Sequence, residues 1–249
     1  MKSNYGWGLP IQASTYAAKI DHSLMILHAA MFLIFGLWAV YMVYCLIRYR
    51  RAKNPQADYS FKDALAAYTP DVLILVFEIW LIFLVGVPIW AHIKEDLPKA
   101  ENATEIRVVA EQFAWTVHYP GADGKFGKAE AELVNADNPL GLDPNDPDGK
   151  DDIVSVNTLV IPLGRPVLIH LSSKDVIHSF FIPEFRIKQD AVPGMKINVW
   201  VEPAMTGLFE LSCAQLCGTG HYRMRADVIV KTQADYEAWL QGELKLKGT

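Results

Sequence analysis

The sequence predicts a two-helix transmembrane hairpin followed by an all-β domain with a short C-terminal helix. Three observations carry this. Ser23 to Ile47 runs without a charged side chain, and a second apolar run, Val72 to Ile93, contains only Glu78. Four basic residues, Arg48, Arg50, Arg51 and Lys53, lie between the two runs. From Thr104 onward, short stretches rich in β-branched and aromatic residues alternate with turn signals such as Asp123-Gly124 and Pro193-Gly194. A net charge of −5 over 249 residues argues against nucleic acid as a partner.

The elements follow in order. Residues 1–22 are mixed, with Lys2, Lys19 and Asp21, and form an N-terminal segment on the outer side. No signal peptide is expected, because the apolar run that follows is too long and lacks a small-residue cleavage site. Residues 23–47 are long enough to cross a hydrocarbon core of about 30 Å. His28 and Cys45 within them have no ligand partner nearby in sequence and read as packing residues. The basic cluster sets the 48–71 loop in the cytoplasm by the positive-inside rule, so residues 72–93 return outward and residues 94–231 form an external domain. Glu78 within the second span, and Asp71 just before it, are costly at membrane depth and therefore face protein or water.

The β stretches fall at Thr104–Ala110, Phe113–Tyr119, Val156–Ile161, Val167–Ser172, Ile197–Val201, Gly207–Leu211 and Ala226–Val230. Many short strands with Gly/Pro turns predict a sandwich or barrel. Residues 135–152 form a loop with six acids against one lysine, expected to be solvated. Its Asp146-x-Asp148-Gly149 does not register as an EF-hand, since Pro144 and Ser155 fall where ligands are required. Thr232, with Asp235 three residues on, caps a helix reaching about Leu240 within the terminal segment 232–249.

The chemistry concentrates in Cys213-Ala-Gln-Leu-Cys217-Gly-Thr-Gly-His221-Tyr-Arg-Met224. Thiolates, an imidazole and a thioether are soft or borderline ligands that suit copper. Gly218 and Gly220 favour a loop that folds back and converges them. The spacing fits neither Cys-x-x-Cys-His haem attachment nor a Cys-x-x-Cys dithiol, and methionine is an odd ligand for structural zinc. A small-loop disulfide is the plainer alternative, but it leaves His221 and Met224 unused. Two thiolates are one more than a mononuclear blue-copper site needs. They can bridge two coppers if a second histidine is supplied, and Asp175-Val-Ile-His178-Ser offers one.

These two motifs together resemble subunit II of the haem–copper cytochrome c oxidases, over most of the chain to about Val230. The resemblance implies a cupredoxin-like Greek-key barrel and a dinuclear copper centre, CuA. Cys213 and Cys217 would bridge the coppers. His178 and Met224 would complete one, His221 and the Gln215 carbonyl the other. It further implies one-electron relay from a c-type cytochrome to haem in subunit I, where dioxygen is reduced and protons are translocated. The setting would be a bacterial inner membrane, with membrane lipid and further oxidase subunits as neighbours and the outer domain periplasmic. In this family Asp71 corresponds to an acid near a proton channel of the partner. Lys188 and Asp190, in Lys188-Gln-Asp-Ala-Val-Pro-Gly194, would lie against the catalytic subunit.

Two departures stand out. Gln215 replaces a frequent glutamate whose carboxylate reaches an interfacial magnesium, and an amide is a poorer ligand for that hard cation. Phe113 replaces the tryptophan at which electrons arrive, with Trp115 retained two residues on, both expected on one side of a strand. His92, His118 and His170 read as non-ligands. Two other functions share the motif: the CuA subunit of a haem–copper nitric oxide reductase, and a membrane-anchored copper carrier without a catalytic partner.

Overall fold

The computed structural model describes residues 8–56 and 67–247; parts of the expected N-terminal segment (1–7), inter-helix loop (57–66) and C-terminal tail (248–249) lie outside them. The chain divides into two units, Lys19–His92 and Met1–Ala18 with Ile93–Thr249.

The first unit is helical. Helix α1 (Ala17–Arg48) extends the apolar run back through the mixed residues 17–22, and the Asn54 amide donates to the Arg48 carbonyl at 2.7 Å, satisfying one of its terminal acceptors. Helix α2 (Thr69–Leu81) starts with Pro70 in its first turn, where a missing N–H costs nothing. It continues through a π-helical turn, Ile82–Gly86, into helix α3 (Val87–Lys94). Pro88 explains the widened turn: it has no N–H for the ordinary ladder, and Val87 instead donates to Ile82, five residues back. Both helical stretches are long and apolar enough to cross a membrane, and their large side chains, Phe32, Phe35 and Phe83 among them, are exposed as hydrocarbon requires.

The second unit is a two-sheet β-domain. Its strands are β1 (Thr104–Glu111), β2 (Ala114–Tyr119), β3 (Ile153–Val156), β4 (Thr158–Pro162), β5 (Val167–Ser173), β6 (His178–Ile182), β7 (Ile187–Ala191), β8 (Ile197–Val201), β9 (Gly207–Cys213) and β10 (Arg225–Lys231). One sheet has the order β3-β2-β1-β5-β8 and the other β4-β10-β9-β6-β7. The β1–β5 and β4–β10 pairs are parallel and all others antiparallel. This is the β-rich, cupredoxin-like domain that the resemblance implies. Strict alternation builds its core: Ile106, Val108 and Ala110 of β1 point inward, as do Phe209 and Leu211 of β9 and Ala226, Val228 and Val230 of β10. Each Val, Leu, Ile or Phe among them contributes about 1.5–3 kcal/mol when fully buried.

Four expectations need correction. The stretch Val156–Ile161 is two strands, because Asn157 takes a left-handed φ of 56° and turns the chain from one sheet into the other. Asparagine tolerates that conformation, and here its Oδ1 accepts the Trp115 N–H at 2.9 Å. Strands β6 and β7 had no turn-bounded signature in the sequence. Helix α4 (Gln233–Lys247) runs past Leu240 and through Gly242, because Tyr236 and Leu244 are buried and Trp239 packs edge-on against Tyr119 at 5.1 Å. Burying those groups outweighs the roughly 1 kcal/mol cost of a helical glycine. The acidic loop is not simply solvated: Asp152 is fully buried, hydrogen-bonded to His118 at 2.6 Å and to the Gly127 N–H at 2.8 Å. The Thr232 cap is present, its Oγ1 accepting the Asp235 N–H at 3.2 Å.

Residues 8–17 belong to this unit. The Arg186 guanidinium donates to the Pro10 carbonyl at 2.6 Å, Ala13 and Glu184 share a backbone bond, and Ser14 donates to the Phe185 carbonyl. Tyr16 stacks edge-on against Trp200 at 5.6 Å.

Candidate metal centre

Three adjacent strands deliver the inner half of the site. In β6, His178, Phe180 and Ile182 form one inward row; in β9, Phe209, Leu211 and Cys213 form another. Met224 stands two residues before Ala226 and extends the inward row of β10. His178, Cys213 and Met224 are therefore the last inward members of three neighbouring rows, with Phe180 opposite Cys213 and the Cys213 N–H donating to the Met224 carbonyl at 3.0 Å. Period-two alternation, continued past the apolar residues, aims these donors at the end of the core.

The loop between Cys213 and Met224 brings the rest. Cys217 Sγ lies 3.8 Å from Cys213 Sγ, 3.6 Å from His221 Nδ1 and 3.7 Å from Met224 Sδ. The Cys213 thiol points at the Gln215 carbonyl at 3.1 Å, while the Gln215 side chain is exposed. His178 Nδ1 lies 3.2 Å from Met224 Sδ and 4.0 Å from Cys213 Sγ. Both cysteines are free, and 3.8 Å is far beyond a disulfide bond length of about 2.05 Å. The disulfide alternative is therefore not what the fold holds.

The protonation pattern fits a cation. His178 Nε2 sits 2.9 Å from an Asp175 carboxylate oxygen, and an ionised carboxylate only accepts, so Nε2 carries the proton. Nδ1 then presents a lone pair to the sulfur cluster, beside a thioether and a carbonyl that also only accept. A metal ion between these groups satisfies all of them at once. Partial burial pushes the Asp175 carboxyl up, but hydrogen bonds from His178 and from the Gln112 and Val176 N–H groups outweigh it and hold the group below its usual range. Burial and the adjacent Cys213 thiol push the Cys217 thiol up to about 11. Metal uptake at neutral pH must therefore displace protons.

Around the donors, two contacts were not foreseen. Gln112, in the short turn between β1 and β2, donates through Nε2 to the Cys217 carbonyl at 2.6 Å and through its backbone N–H to Asp175 at 2.7 Å. Asp175 itself was visible in the Asp-x-x-His spacing, the pattern by which a carboxylate orients a ligating histidine. A cavity of about 480 Å³ opens beside His221 and Met224, with Tyr222, Arg223 and Arg225 on its walls.

The other expected residues separate. Phe113 and Trp115 do not share a strand face: Phe113 sits half-buried in the turn before β2, whereas Trp115 is fully buried, edge-on to His178 at 6.2 Å and to Phe180 at 5.8 Å. Trp115 therefore has no surface to offer a docked protein. The Phe113 ring lies against the loop, so close that a Cβ on Gly220 would fall 2.4 Å from it. Lys188 and Asp190 lie on the outward side of β7, Lys188 above the Phe181 ring at 4.3 Å. Asp71 occupies the first turn of α2 and Glu78 its interior, both exposed within the helical unit. His118 pairs with Asp152, and His170 bridges Asn198 at 2.8 Å and Glu105 at 3.0 Å, so neither faces the cysteines.

Residues 105–232 match the family described as cytochrome C oxidase subunit II, periplasmic domain. The alternative cytochrome c oxidase subunit 2 of Bradyrhizobium diazoefficiens is 36% identical over 97% of this chain and 86% of its own length. Cytochrome c oxidase subunit 2 of Cereibacter sphaeroides is 25% identical over 95% of this chain and 80% of its own. Among solved structures, the periplasmic domain of subunit II of cytochrome oxidase of Bradyrhizobium japonicum is 28% identical over 60% of this chain and 98% of its own, with a TM-score of 0.44.

Proposed function

Because this chain belongs to the cytochrome c oxidase subunit II family, we propose that its β-domain holds a dinuclear copper centre that receives electrons from a c-type cytochrome and passes them to haem in the catalytic partner. The observation that carries this reading is the convergence of His178, Cys213, Cys217, His221 and Met224 side chains with the Gln215 carbonyl, at the spacings given above. Two thiolates placed to bridge, and four further donors split between the inner and loop sides, match the needs of two ions rather than one.

When bound, two coppers sharing one unpaired electron supply a one-electron couple spread over both metals. The chain's residues do the rest. Asp175 fixes the His178 tautomer, so Nδ1 stays a donor in both redox states. The buried strand ends hold Cys213 and Met224 in place, which limits reorganisation. Burial excludes water from the sulfurs, and Trp115 and Phe180 close the inner side. Phe113 is the aromatic at which a donor would meet the site. Lys188 and Asp190 are proposed to face the haem-bearing subunit, and Asp71 and Glu78 to line a proton path or a subunit contact. The exposed Gln215 amide would make at most a weak magnesium ligand. The β-domain is then periplasmic and the hairpin set in the bacterial inner membrane, with the Arg48–Lys53 cluster inside.

The test is copper quantitation and low-temperature EPR on the full chain in detergent. Two coppers per chain, with the seven hyperfine lines of an electron shared by two equivalent spin-3/2 nuclei, support the centre. One copper with a four-line signal rules it out. Co-purification of a haem-bearing subunit then distinguishes an oxidase component from a lone carrier.

A further inference from the structure

Gln112 belongs to neither motif, yet it touches both. Its side-chain amide donates to the Cys217 carbonyl at 2.6 Å, and its backbone N–H donates to Asp175 Oδ2 at 2.7 Å. Asp175 in turn holds His178 Nε2 at 2.9 Å through its other oxygen. An unbroken hydrogen-bonded chain thus runs His178–Asp175–Gln112–Cys217. It joins a donor on the strand side to a donor in the loop by way of the turn between β1 and β2.

The next residue reinforces it. The Phe113 ring is packed on Gly218 and Gly220: a Cβ at Gly218 would meet the Gln112 amide nitrogen at 2.7 Å and the Phe113 ring at 3.1 Å, and one at Gly220 would meet the ring at 2.4 Å. Gly218 also takes a φ of 135°, a conformation that side-chain-bearing residues rarely adopt. The turn therefore grips the loop in two ways, by one hydrogen bond to Cys217 and by ring contact with the glycines that follow it. In return, the loop has glycine where the turn needs the room.

We propose that Gln112 is a positioning residue of the metal centre, fixing the Cys217 segment against the His178 side so that the donor set is preformed. The proposal rests on the copper reading above. Glutamine suits the task because one residue must donate twice, from its backbone to a carboxylate and from its side chain to a carbonyl. Alanine keeps the first donation and loses the second. Glutamate keeps the shape but turns the donor into a charged acceptor facing a carbonyl oxygen, which is worse than losing the bond.

The experiment compares the full chain with Gln112→Ala and Gln112→Glu, in detergent and copper-loaded. It measures copper affinity by chelator competition, the EPR hyperfine splitting, and the melting temperature of the metal-free protein. Loss of a group that orients a ligand typically costs 10–100-fold in metal affinity. The expected result is a loss in that range for Gln112→Ala, a larger one for Gln112→Glu, and altered hyperfine splitting in both. The metal-free melting temperature should fall by no more than the roughly 2–4 °C that one hydrogen bond explains in a chain of this size. Wild-type affinity and splitting in Gln112→Ala would overturn the proposal. So would an affinity loss matched by an equal loss of metal-free stability, since Gln112 would then merely support the fold. If the wild-type chain itself takes up no copper, the metal reading fails first and the clamp with it.

Discussion

The two halves of the candidate centre are built by different means. On the strand side, His178, Cys213 and Met224 continue the inward rows of β6, β9 and β10, and the same alternation that makes the core also aims the donors. On the loop side, Cys217, His221 and the Gln215 carbonyl have no such frame. They depend on a short 3-10 turn at His221–Arg223, on glycines that admit the Phe113 ring, and on one hydrogen bond from Gln112. The strand half should therefore stand or fall with the fold, and the loop half with a few local contacts. Stability and metal retention become separable quantities.

The largest effect tests whether the halves meet at all. Cys217→Ser leaves the strand side intact but replaces a thiol proposed to bridge two coppers with a hydroxyl, and the expected outcome is loss of the two-copper stoichiometry and of the seven-line spectrum. Two coppers retained in that variant would break the comparison. Next, Leu211→Ala cuts the inward row of β9 just ahead of Cys213. Leu211 is fully buried, so denaturant titration of the metal-free chain should show a loss of about 2–5 kcal/mol, with copper binding weakened as the β-domain unfolds. Gly220→Ala should do the reverse. Its Cβ would meet the Phe113 ring at 2.4 Å; overpacking of this kind costs about 1–3 kcal/mol, and chelator competition should record a larger loss of copper than that figure alone explains. The smallest effect is a control at Gly242, where a Cβ meets nothing within 4 Å. Gly242→Ala in α4 should raise stability by about 0.5–1 kcal/mol and leave the EPR spectrum unchanged.

Much of this was legible in the chain itself. The two apolar runs, the strand-rich region and the Cys, His and Met donors can be read from residue type and spacing, because apolar length, period-two alternation and soft ligands each leave a local mark, whereas the Gln215 carbonyl came only with the family resemblance. What could not be read depended on long-range packing. Strands β6 and β7 lie around Pro183–Arg186 without the usual turn dipeptides. Val156–Ile161 looks like one strand until Asn157 is seen to turn the corner between sheets. Phe113 and Trp115 keep strand spacing in sequence but not in space, since β2 begins only at Ala114. The acids of residues 135–152 gave no hint that Asp152 would be drawn inward to His118, because the partner lies 34 residues away.

The inward rows have a consequence for how such a chain tolerates insertions and deletions. One residue added within β9 after Leu211 would reverse the alternation, sending Cys213 outward and Ser212 into its place. No neighbouring residue could correct the error, because every later side chain in the strand would be displaced with it. The stretch from Leu216 to Arg223 lies outside the strand ladder, so a change in its length flips no row but displaces Cys217, His221 and the glycines that receive the Phe113 ring. Length is thus fixed by strand register on one side of the centre, and by the reach of a few local contacts on the other.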